Sequence, residues 1–77
     1  MYNSEKTGLF DDALLEVSGK EALTRLDIFR RMRDKINLKG RYELQELATY
    51  INNQIRNGIL QNADFGENGF PKYKLFD

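Results

Sequence analysis

Apolar residues recur at steps of three and four along most of this chain and, near its end, at every second position. The first run, Leu9, Phe10, Ala13, Leu14 and Val17, has helical spacing. It follows Thr7, a residue type that caps helix starts, and it places Asp11 and Asp12 in the first turns, where carboxylates suit the helix dipole. Ser18, with Glu21 three residues on, has the capping-box spacing, in which each side chain satisfies an orphaned backbone N–H at a helix start. A second helix is therefore expected from near Gly19, with Ala22, Leu26, Phe29, Met32 and Ile36 on its apolar face and Leu23 and Ile28 at the margins. Arg30, Arg31, Asp34 and Lys35 point mostly away from that face, whereas Arg25 and Arg33 project close to it, where they can snorkel or pair with an acid. The stretch from Asn37 to Arg41 contains Gly40 and breaks the pattern. Leu44, Leu47, Ala48, Ile51 and Ile55 then predict a third helix over 42–57, closed by Gly58 in the left-handed conformation and by the apolar Ile59 after it.

From Ile59 the period becomes two, and Ile59 to Phe65 and Phe70 to Phe76 flank the turn signal Gly66-Glu67-Asn68-Gly69, which predicts a hairpin. A two-residue turn at Asn68-Gly69 would set Phe65 opposite Lys72 and Ala63 opposite Lys74, mixing apolar with charged positions. A three-residue loop, Glu67-Asn68-Gly69, with its glycine left-handed in a bulge, instead opposes Ala63 to Tyr73 and Phe65 to Pro71 and gives one apolar face. The other face then carries Leu60, Asn62, Asp64, Phe70, Lys72, Lys74 and Phe76, with Asp64 opposite Lys72. Leu60, Phe70 and Phe76 on that face are candidate contacts for a partner protein. The chain is thus expected to be mainly helical with a C-terminal hairpin, one domain over 1–77 whose residues 1–8 form a flexible tail.

Composition narrows the chemistry. Seventy-seven residues leave room for one core, and 40% hydrophobic with 31% charged residues describes a globule rather than a disordered chain or a membrane span. The chain has no cysteine and no histidine, which excludes disulfides, thiolate nucleophiles, structural zinc and imidazole-based catalysis. The acid pairs Asp11 with Asp12 and Glu43 with Glu46 lack an imidazole, a thiol or a glycine-rich phosphate cradle beside them, so no enzymatic activity, metal or cofactor is expected. No apolar signal core opens the chain, and cytoplasmic residence is the expectation. A domain this small has marginal stability, which a homodimer would relieve.

The formal net charge is zero, yet residues 1–19 net −3, residues 20–42 net +5 and the remainder −2. A basic centre between acidic flanks suits a polyanion, although a solvated helix face has the same composition. Three helices followed by a hairpin resemble the winged helix-turn-helix family, and the resemblance is carried by Ile55-Arg56-Asn57-Gly58-Ile59-Leu60, the Gly66-to-Gly69 turn and Tyr73-Lys74-Leu75. It implies a winged-helix-like fold of three helices plus wing and a small sequence-specific DNA-binding protein, a regulator of transcription or replication on a plasmid or phage. The helix over 42–57 would then enter the major groove of double-stranded DNA with Gln45, Thr49, Asn52, Asn53 and Arg56, and Lys72 and Lys74 of the wing would lie near phosphates. Arg30, Arg31, Lys35, Lys39 and Arg41 are the densest positive cluster and candidate phosphate contacts. Only one helix fits between Gly40 and Gly58. Either the second helix is the first half of the motif, with Leu38 to Arg41 as the turn, or the fold is a tri-helical variant. Two features oppose DNA binding: Glu43 and Glu46 would repel phosphate, and polar residues occupy the solvent face of any amphipathic helix. The competing class is a protein-binding adaptor or inhibitor that uses the exposed hairpin face. Tyr42 and Tyr50 flank or lie within the third helix and suit either an interface or partial core.

Overall fold

The computed structural model describes residues 4–75, with side chains from residue 8 onward. Its elements are α1 (Ser4–Ser18), β1 (Leu23–Thr24), α2 (Arg25–Lys35), α3 (Arg41–Arg56), β2 (Leu60–Phe65) and β3 (Pro71–Leu75). The last two strands form the hairpin, and β3 also pairs with the two-residue β1, so the antiparallel sheet has the order β1-β3-β2. This is a winged-helix-like layout, three helices plus a wing. The helices before the hairpin are α2 and α3, so the second helix is the one that precedes the turn at Leu38 to Arg41.

The core lies where the three helices meet the inner face of the sheet. Phe10, Ala13 and Leu14 of α1, Leu23 of β1, Ile28 and Met32 of α2, Leu47, Tyr50 and Ile51 of α3 and Leu60 of β2 form one buried cluster. Val17, Phe29, Ile36, Leu38, Ile55, Tyr73 and Leu75 pack against it. Tyr50 is tied to α1 twice: its hydroxyl donates to the Asp11 carboxylate, and its ring lies 5.2 Å from that of Phe10. An aromatic body in the core with a polar tip reaching a partner is how a buried tyrosine is tolerated.

The third helix forms as its sequence predicts, and its end shows why. Gly58 has φ +78°, its N–H donates to the Ile55 carbonyl, and the Ile59 N–H donates to the Gln54 carbonyl. These two bonds make a Schellman motif, which occupies carbonyls that the helix itself leaves open. A Cβ at Gly58 would find nothing closer than 3.9 Å, so the cost of a side chain there is the backbone conformation alone. Gly58→Ala is expected to lower stability by about 1–2 kcal/mol, measured by denaturant titration. No change would mean that the helix ends in some other way. Asn37, at φ 55°, does the same for α2, and the Leu38 N–H reaches back to the Arg33 carbonyl.

The first two helices differ from the sequence reading. Helix α1 starts at Ser4, so Thr7 lies inside it rather than capping it, and residues 4–8, read as part of a tail, are helical. It ends at Ser18, and the capping box expected there does not form. Thr24 caps α2 instead: its hydroxyl accepts the Asp27 N–H at 3.2 Å. The reason is a long-range pairing. Leu23 and Thr24 lie opposite Tyr73 and Lys72 in the sheet, and extended backbone at 23–24 forbids a helix running through them from Gly19. The apolar face of α2 turns with this later start, so that Ile28 is fully buried while Leu26, expected in the core, is 54% exposed.

Ser18 is left fully buried, and its Oγ has no hydrogen-bond partner among the described residues. A buried unpaired hydroxyl costs free energy that a methyl group does not. Ser18→Ala is expected to stabilise the fold by about 1 kcal/mol, read as a rise in Tm of roughly 4–8 °C. A fall would show that the hydroxyl is needed where it stands.

The hairpin has the expected loop. Gly69 has φ +81° and donates to the Gly66 carbonyl, and the Gly66 N–H donates to the Phe70 carbonyl, which encloses the three residues Glu67, Asn68 and Gly69. Phe65 lies opposite Pro71 and Asp64 opposite Lys72, also as expected. Below them the register differs: Asn62, not Ala63, lies opposite Tyr73, because Ala63 is an extra residue in a bulge between Asn62 and Asp64. The Asn62 amide donates to the carbonyls of Asp64 (3.0 Å) and Lys72 (3.3 Å), bridging the irregularity. One extra residue moves every side chain before it to the opposite face. Leu60 consequently joins Tyr73 and Leu75 against the helices and is 1% exposed, which removes it as a partner contact, while Ile59 is left half exposed. Phe70 is 63% exposed, as the partner-contact reading expects, and Phe65, expected against the helices, is exposed to the same extent. Phe76 lies outside the described residues.

Candidate nucleic-acid interface

Helix α3 contributes Leu47, Tyr50 and Ile51 to the core, and the periodicity that buries them turns another set outward. Tyr42, Gln45, Thr49, Asn52, Asn53 and Arg56 are all exposed and follow one another at helical steps, so they form one continuous stripe along the side opposite the core. Every member is polar, and none is acidic. Tyr42 is 80% exposed, the most open of the large aromatic and aliphatic side chains among the described residues. Of the two acids on α3, Glu43 sits at the third position after the Gly40 cap, with its carboxylate folded back against that glycine. There it faces the positive end of the helix dipole. Glu46 lies at the margin of the stripe and has an interaction of its own.

The stripe is bracketed by positive charge. Arg41 opens α3 and Arg56 closes it, with Lys39 just before the helix. Arg25, at the first position of α2, reaches across to α3, where its Nη1 donates to Asn52 Oδ1 at 2.9 Å. The two residues sit at the rim of an open groove of about 270 Å³ between α2 and α3, floored by Leu26, Phe29, Ala48 and Ile51. Helical periodicity alone places Arg25 near the apolar stripe of its helix and not at the interface. Thr24-Arg25-Leu26-Asp27 has the spacing of a helix start, which puts Arg25 in the first turn of α2, at the end of that helix far from Gly40.

The remaining basic residues are divided between two sides of the molecule. Lys35 pairs with Glu16 of α1, and Arg31, one helical turn earlier, shares that side of α2. Arg30 is exposed on α2, and Arg33 pairs with its neighbour Asp34 at 3.2 Å. Lys39 and Arg41 thus adjoin the α3 stripe, whereas Lys35 turns to Glu16 on α1. Lys72 and Lys74 are half-buried on β3, opposite Asp64 and Gln61 across the hairpin. They alternate with Pro71, Tyr73 and Leu75, so they lie on the sheet face turned away from the core.

No helix of the described residues is long and apolar enough to cross a membrane. Comparison of the chain with protein-family models, with curated proteins and with solved structures finds no match.

Proposed function

We propose that this chain is a small sequence-specific DNA-binding protein, a regulator of transcription or replication, with α3 in the major groove and the β2–β3 hairpin as wing. The observation that carries this reading is the α3 stripe: an exposed, acid-free row of amide, hydroxyl and guanidinium groups along one helix, with Arg41 and Arg56 at its ends. An α-helix fits the major groove, where such side chains meet base edges, and flanking cations neutralise the phosphates that wall it. Position within the fold supports the same assignment, since α3 is the second helix of a helix-turn-helix pair. The neutral net charge favours a homodimer, in which each copy makes few phosphate contacts and two half-sites are read together.

Selection from a randomised duplex pool at low salt tests the proposal. Enrichment of a repeated or palindromic motif is expected, with a spacing near one helical turn or a multiple of it, about 34–36 Å between half-site centres. Absence of any enriched sequence would overturn it. A second reading, a protein-binding module, draws support from the exposed Phe65 and Phe70 beside the hairpin loop, an apolar pair suited to a pocket on another protein. On that reading Phe70→Ser abolishes capture of the partner protein while the fold is retained.

A further inference from the structure

Resting on the DNA-binding reading, we infer that the duplex segment contacted by α3 is rich in A·T pairs and that its adenines are read by the amides of Gln45, Asn52 and Asn53. Three of the six stripe residues are primary amides. An amide offers one acceptor and one donor side by side, which matches the N6 donor and N7 acceptor of adenine; guanine shows two acceptors there, and one would face the amide oxygen. Thr49 adds a methyl group suited to the 5-methyl of thymine. Arginine is the usual reader of guanine, and the stripe holds one, Arg56, at its end. This places guanine at an edge of the segment rather than in its middle.

The Arg25–Asn52 bond supports the assignment independently. Arg25 is the guanidinium beside the middle of the stripe, and it donates to the oxygen of Asn52. The bond settles which end of that amide faces α2 and turns the Asn52 NH2 away from the guanidinium, toward an acceptor. The Asn52 oxygen keeps a second lone pair for the adenine N6 donor. Arg25 is thus a positioning residue for adenine recognition. The charge balance points the same way: with few phosphate contacts available, base contacts carry a large share of the affinity, and discrimination between base compositions is strong.

The test uses the full chain and two labelled duplex pools of equal length, in which a central block of about one helical turn (~10 base pairs) is randomised over A·T pairs only or over G·C pairs only. Fluorescence anisotropy at fixed low salt is expected to show at least about 10-fold tighter binding to the A·T pool. Replacing adenine by 7-deazaadenine removes the N7 acceptor from the major groove and keeps base pairing, and it is expected to abolish most of that preference. Asn53→Ala is expected to narrow the preference as well. Equal or tighter binding to the G·C pool would overturn the inference and leave the DNA reading standing. A preference that survives 7-deazaadenine would overturn it too, since groove shape rather than the adenine edge would then be read. Failure to bind either pool would overturn the DNA reading itself.

Discussion

Asn53→Ala combined with Arg56→Ala is expected to weaken duplex binding by about 30-fold or more while the protein stays folded. Each well-formed bidentate contact between a side chain and a base contributes roughly 1–3 kcal/mol of discrimination, so two lost contacts amount to at least about 2 kcal/mol and as much as about 6. Little opposes the change on the folding side. Both side chains are exposed, and surface replacements of this kind usually fall within about 0.5 kcal/mol. The bond that closes α3 is made by the Asn53 backbone carbonyl, which accepts from the Asn57 N–H at 2.9 Å and survives the substitution. Alanine is also the better helix former, which offsets the loss of a cation in the last turn. Anisotropy titration with the selected duplex, alongside thermal melting followed by circular dichroism, separates the two effects. Unchanged affinity would remove α3 as the reading helix.

The largest effect on stability is expected from Leu47→Ala. Leu47 has no exposed surface, and it stands in the cluster where α2 and α3 meet β2, with Ile28, Met32, Ile51 and Leu60 also fully buried. Removing a buried leucine to alanine costs about 2–5 kcal/mol, the transfer free energy of the lost atoms plus the cavity they leave. A domain of this length has a total stability of only about 4–12 kcal/mol at ordinary values per residue. The Tm is therefore expected to fall by about 10 °C or more, and the least stable case unfolds outright. Leu26→Ala is the informative comparison. The helical periodicity alone puts Leu26 in the core, but it is 54% exposed, and its truncation is expected to cost no more than about 1 kcal/mol. Equal losses at the two positions would contradict the arrangement of α2 described above.

The candidate site was more legible than the fold around it. Gln45, Thr49, Asn52, Asn53 and Arg56 fall on one exposed face because α3 is long, regular and bounded by glycines on both sides, so its periodicity needs no information from elsewhere in the chain. Arg25 was not legible as part of that site, because its reach to Asn52 spans 27 residues and depends on where α2 begins. The basic cluster shows the same dependence in reverse. Arg31 and Lys35 are close to Lys39 and Arg41 in sequence, but Lys35 turns to Glu16 on α1.

Sequence by itself determined what neighbouring residues settle among themselves: the core face of α3, its closure at Gly58 and the three-residue loop ending in the left-handed Gly69. In each case the deciding interaction lies within a few residues, so local conformational preference and periodicity are sufficient. The tertiary structure decided the rest. Ser18 with Glu21 and Thr24 with Asp27 are both plausible helix starts, and the choice falls to Thr24 because the strand residues Leu23 and Thr24 find backbone partners on β3, almost fifty residues away. The bulge at Ala63 was equally invisible, since strict alternation fits residues 59–65 and only pairing with β3 reveals the extra residue that sends Leu60 inward. A pattern of side chains records which face is apolar, but which strand lies opposite, and in what register, is fixed by the backbone hydrogen bonds and buried surface that distant segments gain together.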